Sequence, residues 1–156
     1  MRFGSFFALA FFILVSLAAG WIGSVFTMSE IPTWYAGLVK PSWNPPNWVF
    51  GPVWTVLYVL MGTAAYLVYR SKKLGKWLVL WLFLAHLVVN TFWSIAFFAM
   101  HEVLLALIVI VLMIGLIALL MRLYWRHSHA ATWLMVPYLL WVLYATTLNA
   151  GILFLN

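Results

Sequence analysis

The sequence contains no cysteine and no aspartate, and Glu30 and Glu102 are its only two carboxylates. The missing thiols exclude disulfides and thiolate metal sites. Both acids are placed near the membrane interface, and no paired-acid site, nucleophile–base arrangement or nucleotide-binding loop is recognisable. We therefore expect no metal site, no required cofactor and no hydrolytic activity.

Charge of either sign is also scarce. Only 6% of the 156 residues are charged, and 68% are hydrophobic, whereas ordinary soluble domains carry roughly 25% charged residues. A soluble protein of this size could not cover its surface with so few charges, but lipid tolerates such a composition. The sequence therefore predicts an integral membrane protein with a single domain, residues 1–156.

Long hydrophobic runs are abundant, and five of them approach the ~20 residues that span the hydrocarbon core of a bilayer. They cover about residues 3–27, 49–69, 77–100, 103–124 and 131–155. The fourth run lacks the alternation of a barrel strand, so we expect an all-α membrane protein built as a bundle of five transmembrane helices. The first run also resembles a signal peptide, with Arg2 as its basic start, but it is long for that role.

The basic residues predict the orientation. With five crossings, all eight lysines and arginines except Lys40 fall on one side of the membrane. The positive-inside rule then places the N-terminus inside and the C-terminus outside. The same rule explains the net charge of +6 without a nucleic-acid partner. The basic loop around residues 70–76 is interpreted as a topology determinant, with recognition of lipid headgroups as the alternative.

The connection between the first two runs is the longest. It extends from Met28 to Trp48, and its prolines stiffen it. We expect this loop to act as a lid over a site, and a purely structural connector is the alternative. The predicted lid residues are Trp34, Lys40, Pro41, Trp43, Pro45 and Pro46.

Polar and aromatic side chains recur at helical spacing within three of the runs, where polar groups are costly in lipid. They form one face in each run. The faces comprise Trp54, Tyr58 and Met61; His86, Asn90, Trp93, Ser94 and Phe97; and Trp141, Ala145 and Asn149. Turned inward together, they would line a cavity for a large, flat, mostly apolar ligand.

Each of these residues has a structural alternative. The two asparagines are equally suited to hydrogen bonding between helices. His86 is interpreted as a packed, hydrogen-bonded histidine rather than a metal or haem ligand. The tryptophan stripe is equally compatible with the core of the bundle.

Three stretches of the sequence resemble the TspO/MBR family, known as translocator proteins, peripheral-type benzodiazepine receptors or tryptophan-rich sensory proteins. The first is W-Y-x-x-L-x-K-P-x-W-x-P-P, from Trp34 to Pro46. The second is N-T-F-W-S from Asn90, and the third is P-Y-L-L-W from Pro137, followed by A-T-T-L-N from Ala145. The resemblance spans nearly the whole chain.

The resemblance implies a dimeric five-helix receptor or carrier that binds tetrapyrroles such as protoporphyrin IX and haem. It also implies sterol and isoquinoline or benzodiazepine ligands, and tryptophan-rich sensory members favour a bacterial cytoplasmic membrane. The implied ligand-binding residues are Tyr35, Trp54, Asn90, Ser94, Trp141, Ala145 and Leu148.

The resemblance leaves two other functions open. Trp54 and Trp141 match the tryptophans implicated in light-dependent porphyrin breakdown, so a porphyrin-degrading enzyme is one alternative. A regulatory scaffold that acts through a partner protein is the other. The family's sterol motif is incomplete here, because no tyrosine followed by a basic residue comes after Asn149. That departure puts strong sterol binding at the C-terminus in doubt.

Overall fold

A computed structural model describes residues 3–156 of the protein. These residues form six α-helices, one 3-10 turn and one π-helical turn. The helices are α1 (Phe3–Glu30), α2 (Trp34–Gly37), α3 (Phe50–Arg70), α4 (Lys76–Ser94), α5 (Val103–His127) and α6 (His129–Leu155). A 3-10 turn, Asn47–Val49, precedes α3, and a π-helical turn, Ile95–Ala99, continues α4. Across residues 3–156 there is no β-strand.

Five of these helices, all except the short α2, are long and apolar enough to cross a membrane. The predicted all-α architecture of five spans is therefore confirmed. The first and fourth spans extend three residues further than predicted, to Glu30 and His127. Hydropathy marks only the part of a helix that lies in hydrocarbon, whereas backbone hydrogen bonding continues the helix into the polar interface.

The five long helices form a closed ring in the order α1, α3, α6, α5 and α4, with α4 packed back against α1. The ring order differs from the chain order because α3 packs between α1 and α6. Residues that are far apart in the sequence therefore face one another across the middle of the bundle.

One end of the bundle carries the basic residues and is called the basic end; the other carries Glu30 and Glu102 and is called the acidic end. At the basic end, cations cap helix carbonyls, as the helix dipole favours. Lys76 Nζ donates to the carbonyls of Tyr69 at 2.9 Å and Ser71 at 3.1 Å. Lys73 Nζ donates to the Arg126 carbonyl at 2.5 Å. Lys73 and Lys76 of the basic loop thus cap the C-terminal ends of helices.

The basic half of the bundle is closely packed. A Cβ added at Gly62 would lie 2.6 Å from Ile13 Cα and 2.7 Å from the Phe12 carbonyl oxygen. Ala64, Ala65 and Val68 are completely buried on the same helix. Small residues let the α1 and α3 backbones approach, which is how helices associate in lipid.

Candidate functional site

A cavity of about 630 Å³ occupies the half of the bundle nearer the acidic end. Its volume lies within the range of cavities that hold drug-sized ligands. The walls come from α1, α3, α4, α6 and the π-helical turn, and the two ends of the first loop complete them. The site is therefore assembled from segments spread over nearly the whole chain.

All seven residues predicted to bind ligand lie on the cavity wall. They are Tyr35, Trp54, Asn90, Ser94, Trp141, Ala145 and Leu148. The helical faces proposed from spacing do turn inward together in α3, α4 and α6. The structure establishes this placement, and the contact of these residues with a ligand stays a prediction.

Sequence reasoning missed the wall that α1 contributes. The missed residues are Leu17, Gly20, Trp21, Ser24, Thr27 and Met28. Three of them, Gly20, Ser24 and Thr27, recur at helical spacing and make a stripe of small and hydroxyl side chains. The other side chains of α1 are mostly large and apolar. A stripe of small and hydroxyl side chains among them is the signal that could have indicated an inward face.

The π-helical turn is a second feature absent from the sequence prediction, which continued an α-helix to about residue 100. Adjacent Phe97 and Phe98 are both buried and both line the cavity. Trp93 stacks on Phe97 with ring centroids 5.4 Å apart. Turns of this kind are frequently found at functional sites in helices. Here the turn directs two neighbouring aromatic rings towards one cavity.

The six predicted lid residues do not line the cavity; the loop contributes Ile31, Tyr35, Asn47 and Trp48 instead. Trp43 fastens the middle of the loop to α6. Its Nε1 donates to Thr147 Oγ1 at 3.3 Å, and its carbonyl accepts from the Tyr144 hydroxyl at 2.6 Å. The lid function of the loop stays a prediction.

Three other predicted lid residues, Trp34, Pro41 and Lys40, also make contacts in the structure. Trp34 stacks on His101 with ring centroids 4.3 Å apart. Pro41 packs against α6, since a Cβ at Gly151 would lie 3.0 Å from Pro41 Cγ. Lys40 Nζ donates to the Leu38 carbonyl at 3.0 Å. The Trp34 and Pro41 contacts therefore join the loop to two parts of the bundle, whereas the Lys40 contact lies within the loop.

Tyr35 is the loop residue most deeply placed in the site. It is buried, and its hydroxyl donates to Asn44 Oδ1 at 3.1 Å. Burial raises the pKa of Tyr35 above its ordinary value, because the charged phenolate loses solvation. The side chain therefore presents a neutral phenol ring to the cavity at neutral pH.

A buried polar network lies at the deep end of the cavity. Asn90 Oδ1 accepts from the Tyr58 hydroxyl at 2.5 Å, and Asn90 Nδ2 donates to the Tyr138 oxygen at 2.9 Å. Asn90 Nδ2 also lies 3.4 Å from Met113 Sδ. The network joins α3, α4, α5 and α6. It favours the interhelical role of Asn90, because its amide hydrogens already have partners.

His86 belongs to the same network. Its Nε2 lies 2.8 Å from the Tyr138 oxygen, and the side chain is completely buried. This is the packed, hydrogen-bonded histidine that the sequence favoured. Asn149 is also committed between helices: its Oδ1 accepts from Trp93 Nε1 at 3.2 Å, and its Nδ2 donates to the Val103 carbonyl at 3.0 Å.

Aromatic rings make up most of the remaining wall. Trp54 stacks on Tyr58 with ring centroids 5.5 Å apart. Trp141, on the neighbouring helix α6, meets Phe50 edge to face at 5.9 Å. Trp141 Nε1 is buried and has no hydrogen-bond partner among the described residues. The arrangement offers flat apolar faces and an indole N–H donor to an occupant.

Comparison with known proteins agrees with this architecture. The profile of the TspO/MBR family matches residues 12–155. The chain belongs to the TspO/MBR family. The sequence resemblance is thereby confirmed, over a stretch that includes every wall of the cavity.

Relatives from three very different sources match the chain over most of their length. The tryptophan-rich protein TspO of Archaeoglobus fulgidus is 41% identical over 92% of this chain and 94% of its own. The human translocator protein is 40% identical over 91% and 85%. The tryptophan-rich sensory protein of Cereibacter sphaeroides is 37% identical over 94% and 92%.

Membership in the TspO/MBR family fixes the general class of the protein. Together with the five apolar helices, it establishes an integral, multi-pass membrane protein. It also supports the general role of a membrane receptor or transporter.

Proposed function

We propose that this protein is a membrane receptor or carrier that binds porphyrin-type tetrapyrroles, protoporphyrin IX and haem, in the cavity. The observation that carries the proposal is the pair Trp54 and Trp141, which approach one cavity of about 630 Å³ from adjacent helices. A tetrapyrrole is large, flat and apolar over most of its surface. Offset stacking on indole rings suits such a ligand.

Sterols and isoquinoline or benzodiazepine compounds are proposed as further ligands of the same cavity. They also need an apolar space with few polar anchors, which the wall supplies. If these compounds bind in the same cavity, they should displace bound porphyrin. Binding without displacement would indicate a different site.

Degradation of the porphyrin is the second candidate function. The feature that favours it is the contact of Trp54 with two further oxidisable rings, Tyr58 at 5.5 Å and Tyr138 at 6.1 Å between centroids. The proposed enzyme would lose its activity in Trp54→Phe or Trp141→Phe. An absorbance spectrum of bound porphyrin that stays unchanged under illumination would contradict this function.

The orientation and the assembly are also proposals. We place the basic end inside and the C-terminus outside, because the positive-inside rule relates cationic loops to the cytoplasmic side. We further propose a homodimer in a bacterial cytoplasmic membrane. Cysteine-accessibility labelling of Ser42→Cys and Lys72→Cys in whole cells would test the two sides, since both positions are exposed.

The binding proposal is tested by titrating the detergent-purified protein with protoporphyrin IX while following tryptophan fluorescence. We expect saturable quenching, and Trp54→Phe or Trp141→Phe should raise the Kd by about threefold to tenfold, since an aromatic pair contributes ~0.5–1.5 kcal/mol. Trp81→Phe is the matched control, because Trp81 is exposed and lies away from the cavity. Folded protein without saturable quenching would reject the proposal.

A further inference from the structure

We infer that the cavity recognises the uncharged macrocycle of a tetrapyrrole and not its carboxylates, so that a neutral tetrapyrrole binds at least as tightly as a dianionic one. The inference rests on the proposed function, and it names the charge class of ligand that this particular wall accepts.

The first observation is the chemistry of the cavity wall. Within residues 3–156, none of the lining residues is an aspartate, glutamate, lysine, arginine or histidine. A carboxylate moved from water into such a space loses its hydration and gains no opposite charge. The cost is several kcal/mol per ion even after relaxation of the protein. Two carboxylates inside the cavity would double that cost.

The second observation is that the hydroxyl groups on the wall, apart from that of Ser94, already have acceptors. Ser24 Oγ donates to the Trp21 carbonyl at 2.7 Å, and Thr27 Oγ1 donates to the Gly23 carbonyl at 3.1 Å. Thr55 Oγ1 likewise donates to the Gly51 carbonyl at 2.9 Å. These hydrogens are engaged within their own helices. They are therefore poorly placed to replace the water around a carboxylate.

The third observation is that the two buried amides of the wall, those of Asn90 and Asn149, are also committed, whereas Asn47 is exposed at the rim. Asn90 Nδ2 donates to Tyr138, and Asn149 Nδ2 donates to the Val103 carbonyl. Trp141 Nε1 is a buried wall donor without a partner in the described part of the chain. A single neutral N–H suits a carbonyl, an ester or a ring nitrogen, but it does not compensate two full charges.

The fourth observation is the charge around the acidic end. Among residues 3–156, Lys40 is the single lysine or arginine there, and its ammonium group donates to the carbonyls of Ala36 at 3.4 Å and Leu38 at 3.0 Å. Glu30 and Glu102 give this end a negative balance while His101 is neutral. The local field therefore does not attract an anion to the mouth of the cavity.

The test compares two tetrapyrroles with the same macrocycle, protoporphyrin IX and its dimethyl ester. Each is titrated into the full-length protein in a non-ionic detergent at about 20 mM and 500 mM salt. We expect the Kd of the ester to equal that of the free acid or to lie below it, and salt not to weaken either ligand. A free acid bound at least tenfold more tightly than the ester, with salt-sensitive affinity, would overturn the inference.

Partition of the ester into detergent micelles is separated from binding with two cavity-filling variants. Ala145→Phe adds bulk at a buried wall position, and Gly51→Leu adds it at a wall position where a new Cβ meets no atom within 4 Å. Quenching that persists in both folded variants is attributed to the micelle and subtracted. If neither porphyrin then shows saturable binding, the proposed function itself fails. If only the free acid binds, the proposed function stands and the charge inference falls.

A gain of charge tests the same inference in the other direction. Asn47 is exposed and lies on the cavity wall where the loop meets α3. Asn47→Lys should shift the ratio of the two Kd values towards the free acid by about tenfold, and added salt should reverse the shift. Asn47→Gln is the neutral control and should leave the ratio as it is. An unchanged ratio in Asn47→Lys would count against the inference.

Discussion

The two halves of α3 make contact with the bundle in opposite ways. From Leu57 to Val68 the helix buries eight side chains or glycine positions, whereas none is buried from Phe50 to Val56. The first group packs against α1 and the core, and residues of the second group line the cavity. One continuous helix is therefore structural in its basic half and available for binding in its acidic half.

The difference follows from residue size. In lipid there is no hydrophobic drive between helices, so helices approach where small side chains let them. Gly62 and the nearby alanines permit that approach in the basic half. In the acidic half, the large rings of Phe50 and Trp54 line the cavity. Gly20 marks the boundary, because a Cβ there would lie 2.2 Å from the Tyr58 ring.

The largest effect is expected from breaking the packed half. Gly62→Leu places its Cβ 2.6 Å from the α1 backbone, which cannot move aside like a flexible side chain. We expect a loss of about 3 kcal/mol or more in the free energy of unfolding. Thermal unfolding in detergent should show a strongly lowered Tm. Gly115→Ala is the control, since a Cβ there meets no atom within 4 Å; an equal Tm for both variants would contradict the comparison.

A smaller effect is expected at the boundary between the halves. Gly20→Ala forces the Tyr58 ring to move, which disturbs its stacking with Trp54 and its hydrogen bond to Asn90. We expect a loss of about 1–2 kcal/mol in stability and weaker porphyrin quenching. Gly23→Ala, one turn away, is a milder change, because its Cβ meets only the Ser94 side chain, with Oγ at 3.1 Å and Cβ at 3.5 Å. If porphyrin binding is unchanged in Gly20→Ala, the position of the Tyr58 ring does not affect the cavity, and the prediction is wrong.

The polar network should contribute less than the close packing. Tyr138→Phe removes the oxygen that contacts His86 Nε2 and Asn90 Nδ2. We expect a loss of about 1 kcal/mol, because hydrogen bonds between membrane helices average ~0.6 kcal/mol and buried groups are left unpaired. Chemical unfolding would measure it. Tyr69→Phe is the control, because it removes the hydroxyl of a half-buried tyrosine outside the network. Its free energy of unfolding should stay close to that of the unchanged protein.

The smallest effect is expected at the acidic end. His101 Nε2 lies 3.2 Å from Glu30 Oε2, and this pair is ionic only when His101 is protonated. Because both side chains are partly exposed, Glu30→Gln should change stability by less than ~0.5 kcal/mol. Hydrogen exchange of the amides from Trp34 to Lys40 should nevertheless become faster. Glu102→Gln is the control, and equal exchange rates in both variants would show that the pair does not hold the loop.

Local patterns predicted the inward faces of three helices but not the wall that α1 contributes. The inward faces of α3, α4 and α6 followed from side chains repeating along one helix, which geometry fixes without knowledge of the partner. The α1 wall was missed because hydroxyls such as Thr27 and Ser24 satisfy their own helix and look like ordinary membrane residues. The role of Asn90 stayed open for a related reason, since its partners lie on other helices.

The class of protein, the number of spans and the gathering of lysines and arginines at one end of the bundle followed from the sequence alone. These properties depend on hydropathy, length and charge along one chain. Only the tertiary structure decided that Trp43 donates to Thr147, that Glu30 meets His101, and that Asn90 donates to Tyr138. Each of those contacts joins residues at least 48 positions apart in the chain. Such contacts depend on which helices become neighbours, and that order is fixed by the fit of side-chain volumes across the whole bundle.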